Sequence, residues 1–270
     1  MKSLTFEALN FCLSGRIFER TYDDNTLPLE DFFMYAMENG FKSVELRDSQ
    51  ICFDSGSVLT DKVNMLSEKY NIPVEMITAR KGKLNDEAGY EIYKKYLRMA
   101  ANIKCGQIKV SGNNIRLIRK AADDAAQLNI KIGTNNHIGT EWETIEGTVD
   151  ALKKIDHPNF FCHFDPSHLW LKKENISEEF IESVFNKISY VIIQDYQEGN
   201  GDKFQHTGER CVLPLGIGEK GSVGYGSIIR KLFLMGYKGP YGLVFIRDAA
   251  DIVQRHEYKL KSHCMNYINQ

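Results

Sequence analysis

The chain has no apolar run long enough to span a bilayer. Its continuous hydrophobic stretches are short, as in Gly242-Leu243-Val244-Phe245-Ile246, against the roughly 20 apolar residues a membrane helix needs. The start, Met1-Lys2-Ser3-Leu4-Thr5-Phe6-Glu7, brings an acid within a few residues and has neither the apolar core nor the small-residue cleavage site of a signal peptide. Secretion is therefore not expected. Charge of one sign is also missing: 34 Lys and Arg against 36 Asp and Glu give a formal net charge of −2, without the basic excess that a phosphate backbone demands. Neither nucleic acid nor membrane is an expected partner. The six cysteines, Cys12, Cys52, Cys105, Cys162, Cys211 and Cys264, are widely spaced with no Cys-x-x-Cys pair, which excludes a zinc knuckle and a dithiol redox motif. Reduced thiols fit a cytoplasmic protein best.

No linker, low-complexity tract or charge block divides the 270 residues. That length is close to the roughly 250 of one β/α barrel, so a single domain over residues 1–270 is expected. Hydrophobic residues make up 43% and charged residues 26%, enough for a sizeable core. Short β-branched or aromatic runs alternate with stretches of helical period, the pattern of parallel strands joined by crossover helices. The runs are Leu4–Phe11, Lys42–Leu46, Pro73–Thr78, Gln107–Ser111, Lys131–Asn135, Phe160–Asp165, Tyr190–Gln194 and Tyr241–Ile246. Eight such strands predict a (β/α)8 TIM barrel. Between them, Pro28 opens and Gly40 closes one helix, and Tyr90, Tyr93, Leu97 and Ala101 form the buried stripe of another.

Chemistry in such a barrel gathers at the C-terminal ends of the strands. Glu45, in Val44-Glu45-Leu46-Arg47-Asp48, either faces a hydroxyl-rich ligand or pairs with Arg47. Asn135 and His137, in Thr134-Asn135-Asn136-His137-Ile138-Gly139, suit sugar hydroxyls because an amide both donates and accepts; the alternative is that this cluster caps the next helix. The densest set is Cys162-His163-Phe164-Asp165-Pro166-Ser167-His168, where Asp165 and His168 suit an acid/base pair or a divalent cation; the alternative is a loop Asp with His168 as a cap. Asp195 ends an apolar strand and is placed at the mouth. A long loop from about Gln197 to Gly221, carrying His206, is expected to cover the pocket.

Two further signals are weighed. Gly216-Ile217-Gly218-Glu219-Lys220-Gly221 fits Gly-x-Gly-x-x-Gly, yet no Asp or Glu stands between Ser222 and Arg247 to hold a ribose, so these glycines are read as turn residues rather than a nicotinamide site. Lys109, two residues before Ser111, shares the inward face if period-two alternation holds; a buried lysine of this kind is either salt-bridged or a Schiff-base nucleophile.

Taken in order, Gly40-Phe41-Lys42-Ser43-Val44-Glu45-Leu46, Asn136-His137, Phe164-Asp165-Pro166-Ser167-His168, Gln194-Asp195, Pro214-Leu215-Gly216-Ile217-Gly218 and Gly236-Tyr237-Lys238-Gly239-Pro240 resemble the xylose-isomerase-like barrel family. That family includes sugar-phosphate isomerases and epimerases and an abasic-site endonuclease. The resemblance implies a divalent metal held by Glu, Asp, His and Glu on strands five to eight. Those positions fall here on Asn135, Asp165, Ile192 and Val244, so one of four is kept, while His137 and His168 match positions that face the substrate or a second metal. A tightly held metal is not expected; Asp165 and His168 are its ligands if a weak divalent ion is retained. The resemblance thus implies an isomerase or epimerase of a small sugar or sugar phosphate, using His137, Asp165 and His168 as catalytic groups and Glu45, Asn135, Asp195 and His206 as substrate contacts. The alternative is a non-catalytic sugar-binding descendant. The endonuclease reading lacks both the metal carboxylates and a basic groove. Either a single chain or an oligomer is compatible with the sequence.

Overall fold

A computed structural model describes residues 4–21, 24–203, 211–246 and 259–269. The ring is built from β1 (Phe11–Ser14), β2 (Ser43–Leu46), β3 (Val74–Thr78), β4 (Gln107–Lys109), β5 (Lys131–Asn135), β6 (Phe160–Phe164), β7 (Ile188–Gln194) and β8 (Tyr241–Phe245). Each strand pairs in parallel with its neighbours in sequence, and β8 pairs with β1 to close the barrel. The expected fold is the observed one. Helices α1 (Leu29–Glu38), α2 (Gly56–Tyr70), α3 (Glu87–Asn102), α4 (Ile115–Gln127), α5 (Ile145–Ile155), α6 (Pro166–Leu171), α7 (Glu178–Val184), α8 (Tyr225–Leu234) and α9 (Lys259–Asn269) accompany the strands. No helix among the described residues is long and apolar enough to cross a membrane.

Local chemistry sets the helix ends. Asp86, Asn114, Thr144 and Ser177 each accept a backbone N–H of the first turn of α3, α4, α5 and α7, a contribution of about 1 kcal/mol per cap. Pro28 precedes α1, and Gly40 beyond its end has φ +73°, a left-handed conformation that glycine adopts without strain. In α3, Tyr90, Tyr93 and Leu97 are buried as their spacing requires.

Two expectations are corrected. The first strand does not run over Leu4–Phe11: Phe6–Ala8 is a 3-10 turn whose start is capped by Thr5 Oγ1, 3.2 Å from Ala8 N, and β1 begins at Phe11. Phe6 is apolar because it stacks on Phe11 (centroids 4.8 Å apart) and meets Phe41 edge-on, not because it belongs to the ladder. A short apolar run does not distinguish these outcomes. The segment after β7 is not wholly a loop either. Tyr196–Lys203 and Cys211–Pro214 pair as an antiparallel hairpin, an addition to the barrel that leaves the ring unchanged. The glycines beyond it make a turn, with Gly218 at φ +81° and Gly216 N donating to Glu219 Oε2 at 2.8 Å.

Inside the ring the filling changes with depth. Ser189 Oγ donates to Gln107 Oε1 (2.9 Å), and Gln107 Nε2 donates to Glu75 Oε1 (2.8 Å), tying non-adjacent strands across the interior. A second layer is apolar: Cys12, Met76, Tyr190 and Ile192, with Val244 against them. Gly242 makes room for Tyr190, since a Cβ there would lie 1.8 Å from its hydroxyl oxygen. Gly242→Ala is therefore expected to lower stability by about 1–3 kcal/mol through overpacking, read as a lower midpoint in urea unfolding. An unchanged midpoint would show that the interior repacks freely.

Candidate functional site

The polar side chains at the strand C-termini meet over the apolar layer. Glu45, at the end of β2, is buried, with 1% of its surface exposed. Its Oε1 accepts from Arg47 Nη1 at 3.0 Å and from Thr78 Oγ1 at 3.3 Å, and Tyr190 OH donates to its Oε2 at 3.4 Å. Glu45 is thus ion-paired with Arg47. Arg47 is shared with Glu19 Oε1 at 3.5 Å, and burial holds the Glu19 carboxyl above its usual range. A shallow notch beside this pair is lined by Glu19, Arg47, Asp48, Thr78 and Arg80, with Arg80 Nε donating to Asp48 Oδ2 at 3.1 Å.

Across the mouth stands the set carried by β5, β6 and β7. Asp165, fully buried, accepts at Oδ1 from Ser167 Oγ (2.5 Å) and at Oδ2 from Gln194 Nε2 (2.7 Å). His168 Nε2 lies 3.3 Å from Asp165 Oδ2 and 3.1 Å from Gln194 Nε2. Pro166 starts α6 directly after Asp165, and this turn folds His168 back over the carboxylate. His168 is buried beside Asp165, 3% exposed. Burial raises the Asp165 carboxyl to about 6, although Ser167, Lys109 and His137 each oppose the rise.

His137 packs its ring on His168, centroids 4.1 Å apart. Its Nδ1 is 2.7 Å from the Ile138 carbonyl oxygen. Because a carbonyl only accepts, this contact places the proton on Nδ1 and leaves the lone pair on Nε2. Burial and the nearby His168 lower its pKa to about 4, so the ring is neutral near pH 7. Asn135, 6% exposed, sits opposite His163 in the β5–β6 ladder. Its neighbour Asn136 has a different task. The Asn136 amide donates to Asp165 O (2.7 Å) and accepts from Asp165 N (2.8 Å), clasping the Asp165 backbone.

One placement departs from the reading of the sequence. Asp195 does not face the mouth. Gln194 occupies the inward face of β7 at that level, so alternation turns Asp195 outward, where its Oδ1 accepts from Tyr196 N (2.8 Å) and Val223 N (3.3 Å) and its carboxyl abuts Gly221. It fixes the chain beyond the hairpin. His206 lies outside the described residues. Gln194 and Asn136 were quoted only as parts of motifs; the series Tyr190, Ile192, Gln194, spaced by two, was the signal that marks Gln194 as inward. Lys109 does take the inward face, beside Thr78 and Gly133 in the ladder. Burial, then the charge of Arg47, lowers its amine to about 8, against the pull of Glu45 and Asp165.

The residues present do not fit a divalent ion held as the resemblance implies. Ile192 and Val244 are hydrocarbon and pack together in the apolar layer. The Gln194 amide nitrogen stands within hydrogen-bond reach of both Asp165 Oδ2 and His168 Nε2, putting N–H groups where a bridging cation would need lone pairs. Among the described residues, no group of three or more His, Cys, Asp or Glu side chains is arranged to hold a metal.

Comparison with known proteins agrees with this architecture. A family model described as xylose isomerase-like TIM barrel matches residues 33–258. No curated protein matches. Among solved structures, the probable 3-DHS dehydratase AsbF of Bacillus anthracis, involved in petrobactin synthesis, superposes with a TM-score of 0.75 at 18% identity, covering 94% of this chain and 99% of its own. A xylose isomerase domain containing protein of Salmonella typhimurium LT2 gives 0.73 at 19% identity, covering 99% and 100%. The D-psicose 3-epimerase of Clostridium cellulolyticum H10, solved with D-tagatose, gives 0.73 at 11% identity, covering 97% and 98%. At these identities the likeness is one of fold.

The outward placement of Asp195 makes a prediction. Burial raises its carboxyl from 3.8 to about 6, so between those values the folded protein binds more protons than the unfolded chain. Stability is then lost as pH rises through that window, by on the order of 2–3 kcal/mol in total. Asp195→Asn is expected to flatten this part of the stability-versus-pH curve in urea unfolding while leaving ligand-induced stabilisation intact. A variant that abolished ligand stabilisation would return Asp195 to the site.

Proposed function

We propose, from the premise that the chain belongs to the xylose isomerase-like TIM barrel family, that it acts on a small polyhydroxylated carbonyl compound, a sugar or sugar phosphate, as an isomerase or epimerase that moves protons without a bound metal. The observation that carries this reading is the contiguous set Asp165, Gln194, His168 and His137 at the C-terminal ends of β5, β6 and β7, the address of chemistry in this fold. The epimerase and the dehydratase among the structural neighbours share that fold.

Proton transfer needs a base that is unprotonated and an acid whose pKa lies close to the working pH. His137, neutral and with its lone pair on Nε2, meets the first need. Asp165, raised to about 6, meets the second and returns to its carboxylate by passing the proton on. Gln194 holds Asp165 and His168 in register, and Asn136 fixes the Asp165 backbone, so the reacting groups are placed before a substrate arrives. Asn135 and the Glu45–Arg47 pair supply the amide and charged groups that orient hydroxyls or a phosphate. The described cysteines are buried and free, in keeping with a cytoplasmic location.

Isomerisation or epimerisation through a proton adjacent to the carbonyl exchanges that proton with solvent. A panel of aldoses, ketoses and their phosphates in deuterium oxide, followed by proton NMR, is expected to show loss of the signal beside the carbonyl for at least one member. Asp165→Asn is expected to slow that exchange by roughly 100-fold or more with little change in the thermal midpoint. The upper limb of the pH–rate profile is expected near pH 6, where Asp165 ionises, since activity that needs its acid form is lost as pH rises through its pKa. Thermal stabilisation by a sugar with no exchange and no product would instead establish the binding-only descendant, which the hydrocarbon at positions 192 and 244 favours. Neither stabilisation nor exchange across the panel would sink both readings.

A further inference from the structure

Lys109 stands at the C-terminal end of β4 on the inner face, between Thr78 on β3 and Gly133 on β5. Part of its surface remains accessible. Its charge bears on Asp165, His137 and His163, and those of Arg47 and Glu45 bear on it, which places it among the groups already described. No carboxylate among the described residues is paired with its amine. The two in range are engaged elsewhere, Glu45 by Arg47 and Asp165 by Ser167 and Gln194.

Other neighbours offer no counter-charge. Gly133 has no side chain, and the space a Cβ would take lies 2.7 Å from His163 Nε2. His163 is fully buried, neither ring nitrogen has a hydrogen-bond partner, and burial keeps the ring neutral. Ile192 and Val244 supply hydrocarbon where the resembling family has two metal ligands. Surface lysines show the contrary arrangement, as in Lys69 at 2.6 Å from Glu30 and Lys231 at 2.7 Å from Glu178. A lysine in an enclosed site with a neighbouring arginine and no ion-pair partner is the environment that makes an amine a nucleophile.

Resting on the reading of a carbonyl-bearing substrate, we propose that Lys109 is a catalytic nucleophile whose Nζ condenses with the substrate carbonyl carbon to form an imine, taking over the electron-withdrawing task that falls to a metal in the resembling family. The amine lone pair forms the C–N bond while the carbonyl π pair moves to oxygen. A proton passes from nitrogen to that oxygen, giving a carbinolamine. The hydroxyl then accepts one further proton, supplied by Asp165 in its acid form, and leaves as water as the nitrogen lone pair closes the C=N bond. The product is a cationic imine. Loss of the adjacent C–H proton to His137 turns that bond pair into a C=C bond while the C=N π pair moves to nitrogen, giving an enamine. Reprotonation of the same carbon from its other face regenerates the imine, and hydrolysis restores the free amine and releases the epimer, with no oxidant or reductant consumed overall. The substrate class is thereby narrowed to aldoses and ketoses with a reachable open-chain carbonyl. Alditols are excluded as substrates.

The test is reductive trapping. The full chain is incubated with dihydroxyacetone or D-glyceraldehyde and sodium cyanoborohydride at pH 8, and the adduct is located by peptide mass spectrometry. Lys109 is expected to be labelled at least about tenfold faster than the surface lysines, because a larger share of its amine is unprotonated at that pH, with a labelling rate that is half-maximal around pH 8 and levels off above it. Lys109→Met is expected to lose this fast phase, and Lys109→Arg to lose it while keeping a cation in place, with the thermal midpoint followed for both. Thermal stabilisation by sugars and alditols is measured in parallel. Stabilisation without preferred labelling of Lys109 would overturn the imine and leave the carbohydrate reading standing; absence of both stabilisation and labelling would overturn the two together.

Discussion

Closing eight parallel strands into a ring leaves each strand one face for the axis and one for the surrounding helices, and this single constraint assigns the polar residues their tasks. On β7 it sends Tyr190, Ile192 and Gln194 inward and Asp195 outward. The two polar residues are adjacent in the chain, Gln194 half-buried and Asp195 fully buried, and they do unrelated work: Gln194 bridges Asp165 and His168, while Asp195 secures the backbone at Tyr196 and Val223. The same alternation brings Lys109 to the axis and lets Gly133 yield its place to the ring of His163.

Burying so many ionisable groups in one mouth is costly unless each is paired or neutral. Both solutions are present. Glu45 and Arg47 form an ion pair, extended by Glu19 and Thr78. His137 and His163 are neutral, and Asp165 is shifted towards neutrality by burial. The result is a site whose proton affinities lie apart from the ordinary values of the same side chains, the condition under which a fold runs acid and base chemistry near neutral pH. Gln194 is central because its amide nitrogen reaches two acceptors without adding charge. It organises Asp165 and His168 where a cation would otherwise stand.

The hydrocarbon at Ile192 and Val244 and the position of Lys109 belong to one electrostatic arrangement. A divalent ion near Asp165 would face the positive charges of Lys109 and Arg47, both close enough to bear on one another. With hydrocarbon at Ile192 and Val244 and an amide at Gln194, the centre is arranged around cationic side chains and neutral imidazoles.

From the sequence alone, the alternation of β-branched runs with helical stretches determined the barrel, and the cluster around Asp165 and His168 marked the end of the ring where the polar groups gather. The strand limits within short apolar runs were not determined, because Phe6 and Phe11 are equally apolar whether they stack or pair. Nor did the sequence fix the contacts of Glu45 or of His168, because those depend on residues distant in the chain: Thr78 and Tyr190 for the first, Gln194 and His137 for the second. Tertiary structure decided them by bringing strands from across the ring within hydrogen-bond distance. The same physics separates Asp195 from the site. A shift of one position along a strand reverses the face a side chain takes, and only the closed barrel fixes which residue of each adjacent pair looks to the axis.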